Sequence, residues 1–358
     1  YDSGNVPALL NRALEMVRYE ERRREQPALR KRGRYVGLGV ACCVEETGLG
    51  PYEEAGISVE PDGRVVVRIG APAQGQGHRT VFAQIGADEL RVPLEQVTVL
   101  AGDTDLVRYS IGTFASRAAV VAGSAALLGA REVKARALRI AAGMLEASEH
   151  DLVLDDGRVR VKGAPDKALT LAEIARRSLG EPGSPLRLES GPGLGALSSF
   201  CPPATTYPTG AHAAAVEVDP ETGEIKILQY AAVEDFGTLM NPLIVEGQII
   251  GGVAHGIGNA FLERVVYNED GQILTTTFMD YLMPTAADVP RIDWDHLGTP
   301  TPLNPIGAKG AGQGGAIPVA AVLTAAVEDA LRPFGLRLTS TPFRPSDLLG
   351  QLGAAGRP

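Results

Sequence analysis

The sequence predicts an α+β fold made of two packed subdomains, and three observations carry that prediction. At 358 residues the chain exceeds what one hydrophobic core usually supports. Hairpin signatures alternate with helical stretches, which argues for antiparallel pairing rather than a doubly wound parallel sheet. The second half also repeats the grammar of the first, across a Gly-, Ser- and Pro-rich stretch from Leu179 to Pro208 that has little periodicity. Placing the boundary there gives subdomains 1–200 and 201–358.

From Pro7 to Arg34, the apolar Leu9, Leu10, Leu14 and Val17 recur at helical spacing in a highly charged background, so one or two helices are expected. Tyr35 to Val44 reads as a strand. Ile57 to Val67 is a hairpin by its Asp62-Gly63 turn and flanking β-branched residues. A glycine-rich loop at 70–77 leads into a helix from Thr80 to Leu90, and Val97 to Leu100 is a strand. The Ala-rich segment from Arg117 to Met144 is a buried helix. In the second half, His212 to Val218 and Glu224 to Val233 pair across Asp219 to Gly223, and a helix follows from Pro242 to Glu263. A third hairpin is expected between Arg264 to Tyr267 and Ile273 to Thr277. A glycine loop at 307–315 then feeds a helix from Pro318 to Leu331.

Composition removes several classes of function. The 34 basic and 43 acidic side chains leave a charge of −9, with no long basic run to track a nucleic acid backbone. The densest basic stretch, Arg22-Arg23-Arg24 with Arg30 to Arg34, reads as a solvated helix face or a subunit contact. Cys42, Cys43 and Cys201 form neither a disulfide framework nor a zinc or iron–sulfur spacing. No apolar run is long enough to span a bilayer and no charged-then-apolar leader is present, so a cytoplasmic protein with no membrane partner is expected.

Four segments carry candidate chemistry. Gln74-Gly75-Gln76-Gly77-His78 lies between a strand and a helix, where glycines let backbone N–H groups approach an anion and the helix dipole favours it. It lacks the Lys-Ser/Thr of a P-loop, and an ordinary glycine turn with Gln76 and His78 capping the helix explains it equally well. Ser110 to Arg117 runs into the helix that contains Gly123-Ser124; Ser116 and Arg117 would present donors there to a negative group, or act as an N-cap and a surface Arg. Gly251-Gly252 through His255-Gly256-Ile257-Gly258-Asn259 lies on a helix that each glycine weakens by about 1 kcal/mol, which suggests that something bulky rests against it. Gly307 to Gly315 is a further flexible loop at a helix start. Together they resemble a cradle for one extended, pyrophosphate-bearing cofactor.

In this order, and with Tyr1-Asp2-Ser3-Gly4, Gly102-Asp103-Thr104-Asp105, Asn241-Pro242, Glu246-Gly247-Gln248 and Asn304-Pro305, the segments resemble the C-terminal molybdopterin-binding region of the xanthine dehydrogenase, aldehyde oxidase and aerobic carbon monoxide dehydrogenase family. The resemblance implies a molybdenum–molybdopterin cofactor in its cytosine dinucleotide form, with no direct protein ligand to the metal. It also implies an upstream molybdopterin-binding half or subunit, FAD and iron–sulfur clusters on partner subunits, and hence a hetero-oligomer. Gln76, Gly77 and His78 would touch the pterin–dinucleotide or the metal's oxygen ligands, and Ser116, Arg117 and Ser124 would hold the pyrophosphate and pterin. Gly256 and Asn259 would lie along the dinucleotide, and Gly312 in the final loop. The implied activity is oxidation of an aldehyde, N-heterocycle or similar small molecule with water as the oxygen source. At the position of the family's general-base glutamate stands Gln313, which keeps a second reading open, a non-catalytic scaffold subunit. Phe236 is a further departure, standing where related sequences carry a smaller residue or cysteine.

Overall fold

The computed structural model describes residues 1–180 and 191–355 and divides into two compact units, each considered by itself. The first comprises Tyr1–Glu45, Tyr207–Pro300 and Ala311–Pro358; the second, Glu46–Thr206 and Thr301–Gly310. The units are interleaved, unlike the contiguous 1–200 and 201–358 read from the sequence. One crossing, at 206/207, lies near the expected boundary. The first 45 residues nevertheless join the later half, because their strand pairs there, and a pairing between distant strands leaves no local signal.

In the first unit, helices α1 (Val6–Met16) and α2 (Tyr19–Arg30) precede strand β1 (Tyr35–Val44). The second unit opens with the hairpin β2 (Glu53–Val59) and β3 (Val65–Ile69), followed by α3 (His78–Leu90), β4 (Val97–Ala101) and the 25-residue α4 (Val121–Leu145). A small antiparallel sheet, β5 (Leu152–Asp155), β6 (Arg158–Val161) and β7 (Ala164–Thr170), leads to α5 (Leu171–Ser178) and β8 (Leu194–Phe200). Back in the first unit come β9 (Thr209–Val218), β10 (Ile225–Asp235), α6 (Pro242–Ile257), β11 (Ile292–His296), α7 (Val319–Ala330) and α8 (Pro345–Ala355).

Each unit is built on one mixed four-stranded sheet. The second unit's order is β4-β3-β2-β8, with β3 and β4 parallel and the other pairs antiparallel. The first unit's order is β1-β9-β10-β11, with β10 and β11 parallel. The expected α+β class therefore holds, although each sheet contains one parallel pair joined through a helix.

Glycine decides how α7 lies on the first unit's sheet. A Cβ at Gly37 or Gly39 of β1 would fall 1.9 Å from the carbonyl oxygens of Ala326 or Val322, so only a bare backbone lets the helix sit that close. Ala214, Val216, Tyr230, Val322, Leu323 and Val327 fill this side of the sheet, and Ala211, Ala213, Ala231 and Val233 meet α1 on the other.

Three sequence readings change. The Arg264–Thr277 hairpin is reduced to a single bridge, Tyr267 to Ile273, and its apolar side chains stay exposed. The Leu179–Pro208 stretch contains β8, which glycines hid; residues 181–190 of it lie outside the described residues. The basic stretch is only partly solvated as expected: Arg24, Lys31, Arg32 and Arg34 are exposed, while several of its side chains are tied within the chain. Arg22 donates to Gln229, Arg23 and Gln26 to the Asp329 carboxylate, and Arg34 to Glu217. Burial works against the charge of Asp329, but donation from Arg23, the Leu38 amide and Gln26 outweighs it and holds this carboxyl below its ordinary range.

Candidate functional site

In the second unit, the loop that precedes α3 and the turn that precedes α4 are tied side by side. Gln74 Nε2 donates to Thr113 O at 3.2 Å, and Thr113 Oγ1 donates to Pro72 O at 2.7 Å. Gln76 sits in this loop, half-buried, its side-chain oxygen accepting from the Gln74 amide at 2.5 Å. Gly77 is the residue before α3, at φ +77°, where it reverses the chain without the strain a side chain would bring. His78 opens the helix. Its ring is buried, donates from Nδ1 to Ala71 O at 3.3 Å and packs on Phe82; burial holds its pKa below the usual imidazole value.

The turn before α4 contains Ala115 and Ser116 in succession at φ +46° and +48°. Two non-glycine residues in the left-handed region cost on the order of 1–2 kcal/mol each. What holds them is directly behind. Arg117 is fully buried and pairs with Glu53, while its guanidinium also donates to Leu49 O (2.7 Å), Pro51 O (3.0 Å) and Gly112 O (3.1 Å). This corrects the expectation that the Arg117 side chain grips a pyrophosphate: it is committed inside the protein and braces the turn that presents Ser116. Gly310 presses on the same turn, where a Cβ would fall 2.2 Å from Ser116 O.

Ser124, on α4, is wholly buried, and its Oγ has no hydrogen-bond partner. A buried hydroxyl left unmade costs about 1–3 kcal/mol, so this atom suits a ligand group that completes its bonding. Neither α3 nor α4 has a side-chain cap at its start, as is also true of α2 and α7, whereas α1, α5 and α6 are capped by Asn5, Thr170 and Asn241. An orphaned hydroxyl beside a strained turn suits an anionic, hydrogen-bonding group.

In the first unit, Gly312 and Gln313 are exposed on the loop leading into α7, and Gln313 O accepts from the amides of Ala316 (2.8 Å) and Ile317 (3.2 Å). The glycines of α6 separate into two faces. Gly252 and Gly256 permit a close approach within the chain: a Cβ at Gly252 would meet Ala316 N at 2.9 Å, and one at Gly256 would meet Val319 Cβ at 2.4 Å. The reading of Gly256 as a dinucleotide contact is therefore corrected; it is buried in a helix crossing. Gly247 and Gly251 instead face open space, as does exposed Asn259, which lies on the π-helical turn Gly258–Leu262 that ends α6.

One buried group was missed. His212, Tyr230 and Glu234 form a hydrogen-bonded line within the first unit's sheet. The available signal was a His and a Glu set among alanines and valines of two strands, at positions where a buried side chain needs a partner.

A family model described as molybdopterin cofactor-binding domain matches residues 12–290. The chain is 40% identical over 330 residues to the carbon monoxide dehydrogenase large chain of Afipia carboxidovorans, which covers 87% of this chain and 40% of that one. It is 38% identical over 352 residues to the 6-hydroxypseudooxynicotine dehydrogenase complex subunit gamma of Paenarthrobacter nicotinovorans, covering 98% of this chain and 44% of that one. A crystal structure of a Cu,Mo-CO dehydrogenase superposes with a TM-score of 0.90 at 36% identity, covering 99% of this chain and 46% of that one. The chain thus spans less than half the length of the curated relatives it matches.

Proposed function

The chain belongs to the family of molybdopterin cofactor-binding domains, and from that premise we propose that it is the cofactor-binding part of a molybdenum hydroxylase or dehydrogenase that oxidises an aldehyde, N-heterocycle or similar small molecule. Its cofactor on this reading is the cytosine dinucleotide form, and its partners are an upstream molybdopterin-binding half and subunits carrying iron–sulfur clusters and FAD. A cytoplasmic location goes with this reading. When bound, the molybdenum–pterin group supplies two-electron oxidation of the substrate, with oxygen drawn from water.

The chain's own residues would do the holding. Ser124 Oγ offers a buried hydrogen bond, the Ala115-Ser116 turn offers backbone groups fixed by the Arg117–Glu53 pair, and the loop through Gln76 and Gly77 closes beside them. The observation that carries the reading is the orphaned Ser124 hydroxyl on an uncapped helix. The test is purification of the chain with its neighbouring subunits, followed by measurement of molybdenum, pterin and released nucleotide per chain. Ser124→Ala should lower cofactor content severalfold with the fold intact. A fully assembled complex that holds neither metal nor pterin would sink the proposal.

Gln313 favours a second reading, a scaffold subunit that keeps the fold without turnover. An amide cannot take a proton near neutral pH, and loss of a general base costs ~10²–10⁴-fold in rate. Recovery of hydroxylase activity in Gln313→Glu would establish an otherwise complete site. Unchanged inactivity with cofactor bound would favour the scaffold.

A further inference from the structure

Under the loop that bears Gln313 lies a set of titratable groups that cofactor binding does not use. In the register of β9 and β10, Ala232 stands opposite His212, Ala214 opposite Tyr230, and Gly210 opposite Glu234. Alternation puts Tyr230, Ala232 and Glu234 on one face of β10. The small Ala232 leaves the His212 ring room to reach both of its neighbours along the strand. Its Nδ1 lies 2.8 Å from the Tyr230 hydroxyl and its Nε2 lies 2.7 Å from Glu234 Oε1. All three side chains are buried.

The other carboxylate oxygen of Glu234 shapes the backbone around it. A Cβ at Gly210 would fall 2.3 Å from Oε2. A Cβ at Gly314 would fall 3.4 Å from the same oxygen and 2.7 Å from the Phe236 ring. The bare side of Gly314, one position beyond Gln313, therefore faces the Phe236 ring most closely, with Glu234 Oε2 next to it.

We propose that Glu234, fixed by His212 and Tyr230 and flanked by Phe236, is the positioning residue of the Gly312–Gly315 loop and so sets where Gln313 stands. This rests on the reading of Gln313 as the residue that faces the chemistry. Glu234 acts through the loop: its carboxyl is out of solvent and on the side that Gly314 faces. The glycines are part of the device. Any side chain at 210 would displace the carboxyl, and a methyl at 314 would lift the loop off its seat.

The experiment reads hydrogen exchange of the full chain without cofactor, at the Ala316 and Ile317 amides that donate to Gln313 O. Glu234→Ala should raise exchange there about tenfold or more while the β9–β10 ladder stays protected. Glu234→Gln, which keeps the volume and an acceptor for His212, should restore slow exchange. Gly314→Ala, whose methyl would press on Phe236 and reach Glu234 Oε2, should reproduce the rise from the loop's side of the same contact. Unchanged exchange at 316 and 317 in either folded variant overturns the proposal, as does a Glu234→Gln chain as loose as Glu234→Ala. Because no cofactor enters the measurement, a complex empty of molybdenum would remove the proposed function and leave this result standing. A rigid loop in Glu234→Ala would do the reverse.

Discussion

In the second unit the chain makes the hairpin β2-β3, crosses through α3 to β4 beside β3, and lays α4 over β2 and β8. In the first unit it makes the hairpin β9-β10, crosses through α6 to β11 beside β10, and lays α7 over β9 and β1. The plan is the same except for the fourth strand, which follows the helix as β8 in one unit and is borrowed from the N-terminal end as β1 in the other. Each plan also places a buried acid–base pair behind a candidate loop. Arg117–Glu53 braces the Ala115-Ser116 turn, and His212–Glu234 lies under Gly314. The pairs differ in what a proton can do to them. Burial raises the pKa of the Glu234 carboxyl, so its proton can be lost within the working pH range, and no such change is open to a guanidinium. The second unit therefore holds its turn with a fixed brace, and the first holds its loop with one that titrates.

Breaking the fixed brace should have the largest effect. Arg117→Ala strands a buried Glu53 and frees three carbonyls, so chemical denaturation should show a loss of about 3–5 kcal/mol. The strained turn should loosen as well, since the Arg117 guanidinium ties Gly112 O, Leu49 O and Pro51 O directly behind it. A loss below about 1 kcal/mol would mean that the pair is incidental and that the two units are not braced alike.

The contrast also explains what could be read from the sequence. The Asp62-Gly63 and Asp219 to Gly223 turns announced both hairpins, and α3, α4 and α7 were legible to within a few residues because their composition is strongly helical. The sheet β5–β7, strand β8 and strand β11 were not, being short segments whose pairing depends on partners far along the chain. The glycine-rich loops were visible as loops, but not which glycines face open space and which face a neighbour. Gly256 and Gly251 look alike in sequence, and only the position of Val319 separates them. Arg117 was legible as a functional position and not as a brace, because Glu53 lies 64 residues away.

The titrating brace predicts a pH dependence with a definite sign. Burial raises the pKa of Glu234, opposed by the hydrogen bond and charge of His212, while the adjacent Asp235 charge adds to the rise. Tyr230, at the other end of the line, and Cys43, whose strand partner is Gly210, are both pushed further from ionisation by burial and by the Glu234 charge. A carboxyl raised in the folded state stabilises fully below its unfolded pKa, and that contribution is lost as pH rises through the folded value. Stability of the wild-type chain should therefore fall with rising pH above the ordinary carboxyl range, by no more than about 1.4 kcal/mol per pH unit for one proton. Glu234→Gln should flatten that limb, as followed by urea midpoints at several pH values. An unchanged slope would show that the pair does not hold a proton the unfolded chain gives up.

The smallest expected effect separates packing from binding on α6. In the second unit's long helix, glycines meet neighbours: a Cβ at Gly129 would lie 2.9 Å from Ile57 and one at Gly123 would lie 3.2 Å from Ile306. On α6, Gly247 and Gly251 meet nothing within 4 Å. Alanine is a better helix former than glycine, so Gly251→Ala should stabilise the chain by about 0.5–1 kcal/mol in thermal or chemical unfolding. A glycine that weakens its helix and packs against nothing in the chain suits a surface kept bare for something else, and Gly251→Leu tests that in the assembled complex. Cofactor content that drops severalfold while stability is kept would make this face of α6 a cofactor-binding surface. Unchanged content with the expected gain in stability would leave this face without a part in cofactor binding.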